Sequence, residues 1–133
     1  MTDIFADTSA LYALLDRHDR AHGRAAAAFD RIDRQTMQLI TSSYVLLESV
    51  SLIQARLGLA AAREWRDRFQ PLLEVVWIDA GLHGRGMAAL LAASRRDVSL
   101  TDWTSFEVMR DRHVTRAFAF DPHFLTQGFE LLT

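Results

Sequence analysis

The 133-residue sequence predicts an α/β fold, a three-layer α/β/α sandwich around a mostly parallel central sheet of four to five strands. Three observations carry that prediction. Short apolar runs alternate with amphipathic stretches of helical period, the pattern of strands buried on both faces. Half the residues are hydrophobic and 24% are charged, enough to build one sizeable core. No repeat, low-complexity segment or linker interrupts the chain, so a single domain over residues 1–133 is expected.

The elements follow in order. Ile4-Phe5-Ala6 is expected as a short strand ending at Asp7, with a helix from Thr8 to Asp16 and an Ala-rich helix from Arg20 to Arg34. Gln38-Leu39-Ile40-Thr41 reads as a second strand, and a helix from about Tyr44 to Leu57 is stopped by Gly58. A further helix is expected from about Ala60 to Phe69, a third strand from Leu73 to Ile78, and a helix from about His83 to Arg95. "SLTDWTSFEVMR", residues 99–110, opens with Ser99-Leu100-Thr101-Asp102, a capping-box pattern that starts a helix reaching about His113. Ala117-Phe118-Ala119-Phe120 is the fourth strand, and residues 129–132 offer a short fifth. The two prolines, Pro71 and Pro122, fall near segment ends.

Composition excludes several chemistries. There is no cysteine, so disulfides and thiolate metal sites are out. All fifteen basic residues are Arg. Without Lys there is no P-loop, and a receiver-type aspartate site, which normally uses a lysine, is disfavoured. A net charge of −2 argues neither for nor against nucleic acid. No apolar run is long enough to span a bilayer and no signal pattern opens the chain, so a cytoplasmic location is expected.

The acids carry the functional reading. Ligands of open parallel sheets bind beyond the carboxyl ends of the strands, and crossover helices begin at that same edge. Asp7 ends the first strand and Asp121 the fourth. Glu48 lies in the first turns of the helix after strand two, and Asp102 begins the helix leading to strand four. All four are therefore expected at one edge, although they span positions 7 to 121. Glu48 has Tyr44, Val45 and Leu52 as its helical neighbours, where a carboxylate needs a partner or a cation unless it reaches water at the margin of the stripe. Taken singly, Asp7 reads equally as a helix N-cap and Asp121 as a turn cap before Pro122. Four carboxylates without Cys or a placed His make a hard-oxygen site that favours Mg²⁺ or Mn²⁺. Such an ion can bridge a phosphodiester oxygen, lower the pKa of a bound water and stabilise the leaving oxygen. Metal-assisted phosphodiester hydrolysis is the expected reaction class.

These stretches resemble the PIN-domain family and, within it, the VapC-type ribonuclease toxins, over essentially the whole chain. "FADTSAL" resembles the first motif with Asp7 and Ser9, and "TSSYVLLES" the second with Glu48. "SLTDWTSFEVMR" resembles the third with Asp102, and "AFAFDPHFLTQGF" the fourth with Asp121. Trp103 stands where relatives often carry a small residue or Cys. The resemblance implies a Mg²⁺/Mn²⁺-dependent endoribonuclease cutting RNA, a homodimer, and a cognate antitoxin. Asp7, Glu48, Asp102 and Asp121 are then the metal ligands, directly or through water. Thr8 or Ser9 would support a carboxylate or a water, and Ser105, one turn after Asp102, would do the same unless it is simply an exposed helical serine. The alternative is a non-catalytic PIN-like module that binds RNA or protein and leaves the acidic site unused.

Other patterns compete less well. His18-Asp19-Arg20-Ala21-His22 spaces two histidines like a zinc-protease motif but lacks its Glu and a third ligand. Gly84-Arg85-Gly86-Met87-Ala88-Ala89 fits a dinucleotide fingerprint, but it starts six residues after the third strand and lacks the later acid. "FADTSAL" lacks the second Asp of an aspartate-nucleophile phosphatase. Trp65, Phe69, Trp77, Trp103 and Phe106 are expected in the core or a dimer interface. Arg17, Arg20, Arg24, Arg95 and Arg96 are candidates to hold phosphates, or else a solvated charged face.

Overall fold

The computed structural model describes residues 2–132; Met1 and Thr133, the two ends of the expected domain, lie outside the described residues. Five strands, β1 (Thr2–Ala6), β2 (Met37–Ser42), β3 (Leu73–Val76), β4 (Arg116–Phe118) and β5 (Glu130–Leu131), form one parallel sheet. Its strand order is β3-β2-β1-β4-β5. The helices are α1 (Thr8–Leu15), α2 (His22–Asp30), α3 (Ser43–Leu57), α4 (Leu59–Glu64), α5 (Ala80–Ala93), α6 (Leu100–Asp111) and α7 (His123–Thr126). The strand is shortest at the β5 edge, and β1 lies at the centre, where Ile4, Phe5 and Ala6 are completely buried. Burial on both faces explains why these strands read as continuous apolar runs rather than alternating ones.

Where the observed elements differ from expectation, a local bond accounts for most of the difference. The Ala-rich helix begins at His22 rather than Arg20, because the Asp19 carboxylate accepts the Ala21 amide at 2.8 Å and holds a turn there. It ends at Asp30, where the Arg31 amide already bonds back to the Ala28 carbonyl. The helix expected to Phe69 leaves α-geometry after Glu64 and continues as one π-helical turn, Trp65–Phe69, burying Trp65. α7 was not legible as a separate helix. Its Phe124 is completely buried against Phe106, with ring centroids 5.0 Å apart, and that contact secures the turn.

Trp65, Trp103 and Phe106 are in the core. Trp77 is not: it is 71% exposed just past the edge strand β3, because the strand stops at Val76 and no helix covers that position. The Gly-rich stretch at 84–89 lies inside α5, and its use is packing. A Cβ on Gly86 would stand 2.5 Å from the buried Thr104 hydroxyl and 3.4 Å from the Thr104 Cα of α6, so Gly86 allows two helices to approach closely. Nothing surrounds Gly84. Gly86→Ala is therefore expected to lower stability by about 1–3 kcal/mol through overpacking, whereas Gly84→Ala should raise it by ~0.5–1 kcal/mol through helix propensity. Chemical denaturation of the two variants checks both signs.

Candidate active site

The site forms where the sheet reverses its order. From β1 the chain runs outward through β2 to β3, then returns to place β4 on the other side of β1. Such a switch point opens a crevice beyond the strand ends. Asp7 sits at this seam, its amide donating to the Phe118 carbonyl of β4 at 3.0 Å.

Local capping then aims each carboxylate. Asp7 is the N-cap of α1 and accepts the Ser9 amide at 3.3 Å and the Ser9 hydroxyl at 2.8 Å. The Ser9 hydroxyl in turn accepts the Phe120 amide at 3.0 Å, tying the loop after β1 to the loop after β4. Asp102 completes a capping box: the Ser99 hydroxyl accepts the Asp102 amide at 3.1 Å, and Asp102 Oδ2 accepts the Ser99 amide at 3.3 Å. Asp121 accepts the His123 amide at 2.9 Å in an Asx turn; β4 stops at Phe118, two residues earlier than the expected strand, so Asp121 lies in the loop after it rather than at its end. Cap and site thus coincide in three of the four acids.

Glu48 is the exception. It is half-buried on α3, because the fully buried stripe of that helix runs through Val45, Ser49 and Ile53, one step round from Tyr44 and Leu52. Glu48 therefore reaches the crevice from the margin of the apolar face.

His123 was missed by the sequence argument. Its Nδ1 lies 2.8 Å from Asp121 Oδ1 and 3.9 Å from Asp102 Oδ2, and its Nε2 lies 3.6 Å from Asp97. The Nδ1 is buried and out of line for a hydrogen bond to its neighbours. One ligand atom each from Asp102, Asp121 and His123 lie within 4.8 Å of one another, the one such trio among the described residues. Asp7 and Glu48 are outside this trio: the charges of Asp102 and Asp121 act on Asp7, and the charge of Glu48 acts on Asp102. The available signal was position: His123 is two residues after Asp121, inside the turn that Asp121 caps.

The supporting residues fall out differently from one another. Ser9 bonds Asp7 as described. Thr8 is buried, and its hydroxyl has no partner. Ser105 is fully buried rather than exposed, and its hydroxyl donates to the Thr101 carbonyl at 2.7 Å within its own helix. Trp103 turns inward, edge-on to Phe106 at 5.5 Å, so its bulk fills core. His18 and His22 form no joint site: His22 Nδ1 lies 2.7 Å from the Ala13 carbonyl, and His18 points to solvent. Of the candidate phosphate-binding arginines, Arg95 is paired with Asp97 at 2.6 Å, while Arg24 lies over the Phe120 ring.

Crowding marks the electrostatics. Burial pushes the Asp7 carboxyl up to about 7; the Ser9 hydrogen bonds pull it down, and the charges of Asp102 and Asp121 raise it further. Burial also pushes Asp102 up to about 6, followed by the charge of Asp121 and then that of Glu48, against the opposing Ser99 amide and His123. Acids held this way ask for positive charge. Carboxylate oxygens with one imidazole nitrogen at the rim fit a hard divalent cation such as Mg²⁺ or Mn²⁺.

Comparison with known proteins agrees with this arrangement. Residues 4–129 match the family model of the PIN domain. The chain is 33% identical over 127 residues to the 23S rRNA-specific endonuclease VapC20 of Mycobacterium tuberculosis, covering 95% of both chains. The crystal structure of that sarcin–ricin-loop-cleaving toxin matches with a TM-score of 0.85 at 32% identity, again over 95% of each chain. VapBC2 from Rickettsia felis, bound to a promoter DNA fragment, matches over 98% of this chain and 97% of its own with a TM-score of 0.69. At 13% identity that last likeness concerns the fold alone.

Proposed function

The chain belongs to the PIN domain family, and from that premise we propose that it is a metal-dependent endoribonuclease, the toxin of a toxin–antitoxin pair. Asp7, Glu48, Asp102 and Asp121 hold Mg²⁺ or Mn²⁺ in this reading, directly or through water. The observation that carries it is the convergence of acids at the β1–β4 seam, two of them with carboxyls pushed up to about 7 and about 6 by burial and by neighbouring acids.

When bound, the cation supplies charge that neutralises the carboxylates, polarises a phosphodiester oxygen and favours ionisation of water. The protein's own residues set the geometry. Ser9 orients Asp7 and locks two loops together, so the edge is rigid before substrate arrives. The Ser99 cap turns one oxygen of Asp102 back to the backbone and leaves Oδ1 outside the capping box. Phe124, wedged in the core, fixes the turn that carries Asp121 and His123. A cognate antitoxin and a second copy of the chain complete the reading as partners, and the exposed Leu47, Leu59 and Trp77 offer apolar surface for such contacts.

Expressed alone in a bacterium, the chain should arrest growth. The purified protein should cut RNA with Mg²⁺ or Mn²⁺ and stop when the ion is chelated. Cleavage that persists in chelator would overturn the metal assignment. Absence of both RNA cleavage and a thermal shift with Mn²⁺ would leave a non-catalytic module in its place.

A further inference from the structure

The turn after β4 leaves one ring nitrogen over. The His123 amide donates to Asp121 at 2.9 Å, but Nδ1 makes no hydrogen bond, although Asp121 Oδ1 is 2.8 Å away and Asp102 Oδ2 3.9 Å. A contact this close and this poorly aligned does not satisfy a buried polar atom. It does suit two ligands of one ion. Around a cation with bonds of about 2.1 Å, octahedral ligands stand about 3.0 Å apart as neighbours and about 4.2 Å apart as opposites. The two distances from Nδ1 fall close to these values. A cation is smaller than water and binds at about 2.1 Å, against about 2.8 Å for a hydrogen-bonded water, so a recess closed to water still takes an ion. Asp102, Asp121 and His123 are each partly exposed, which leaves the ion a way in.

The other ring nitrogen points the same way. Nε2 lies 3.6 Å from Asp97, a carboxylate outside the four acids that Arg95 holds from its other side at 2.6 Å. Histidines that ligate metals turn their second nitrogen to a carboxylate, which keeps the proton there and leaves the lone pair of the first for the ion. Phe124, next in the chain, is completely buried and fixes the backbone that carries the imidazole.

We propose that His123 is a metal ligand through Nδ1, beside Asp102 and Asp121, with Asp97 as the positioning residue behind it. The proposal rests on the metal-dependent reading and narrows it. An imidazole among carboxylates raises affinity for transition ions such as Mn²⁺ relative to Mg²⁺, which takes oxygen ligands.

The test uses the full chain, its His123→Ala and His123→Gln variants, and Mn²⁺ as the probe. Electron spin-echo envelope modulation of the bound ion reads its ligands without turnover. The wild type should show modulation from a directly bound imidazole nitrogen, altered when the histidines carry ¹⁵N and absent in both variants. Room-temperature EPR counts free Mn²⁺, and added Mg²⁺ competes for the site. His123→Ala should weaken Mn²⁺ binding by at least about tenfold, the loss that even outer-shell changes cause. Mg²⁺ binding should weaken by no more than about threefold, because that ion has no need of imidazole. Mn²⁺ bound by the wild type without imidazole coupling overturns the assignment of His123 and leaves the metal reading standing, even if neither variant folds. Coupling that survives in a folded variant does the same. If the wild type takes up no Mn²⁺, the metal reading falls and His123 as a ligand falls with it.

Discussion

Asp102→Asn is expected to lower RNA cleavage by at least ~100-fold while leaving the protein as stable as the wild type, or slightly more so. The loss follows from removing one negative charge where a cation must be held; preorganised electrostatic groups of this kind are commonly worth about 10²–10³ in rate. The preserved fold follows from the capping box. Asparagine can accept the Ser99 amide as the aspartate does, and Asn and Asp cap about equally well. Removing a charge that Asp121 and Glu48 oppose adds a small gain. Ser99→Ala is the mirror experiment. It should cost ~1 kcal/mol by taking away the acceptor for the Asp102 amide, yet retain most of the activity because all four carboxylates remain. Thermal melts and cleavage assays on the pair separate the two roles. If Asp102→Asn cuts RNA normally, Asp102 is a cap and nothing more.

Asp7→Asn should make the metal-free protein more stable above neutral pH, and inactive. The sign follows from proton binding. In the unfolded chain this carboxyl ionises near 3.8; in the folded protein it keeps its proton until about 7. The folded state therefore binds more protons between those values, and the contribution of this carboxyl to stability is full below pH ~4 and is lost as pH rises through about 7. The difference corresponds to roughly 4 kcal/mol once both forms are ionised. Asparagine carries no such dependence. The gap in stability between variant and wild type should be near zero at pH 4 and widen to a few kcal/mol by pH 8. Mg²⁺ or Mn²⁺ should narrow it by binding the wild-type folded state. Denaturation at pH 4, 6 and 8, with and without the ion, reads this directly. A gap that stays flat across that range would mean that Asp7 ionises normally.

The acids were legible because each obeys a local rule visible in the sequence. A strand ends, a helix starts, and an acid lies between them: that describes Asp7 and Asp121, whereas Asp102 shows itself through the capping box that opens α6. Parallel topology then gathers the junctions at one edge. Glu48 was legible for a partly mistaken reason. Its neighbours at helical spacing are apolar, but Tyr44 and Leu52 are only half-buried, so the carboxylate is at the rim of the stripe rather than inside it. His123 escaped notice because its place depends on how tightly the turn after β4 closes, and that is decided by Phe124 entering a core built from distant segments. For Trp77 the sequence left core and dimer interface open, and its 71% exposure removes the first of the two.

The strand order β3-β2-β1-β4-β5 also governs when the protein can begin to act. Asp7 and Glu48 belong to the first half of the chain, Asp102 and Asp121 to the last third. Domains emerge from the ribosome amino end first, so β1 waits for its β4 neighbour until Arg116–Phe118 has been made. A nascent chain that carries β1, β2 and β3 holds only two of the four acids and none of the seam. If those acids hold the ion as proposed, the site cannot assemble before residues 116–121 have been made, however far the first half of the chain has folded.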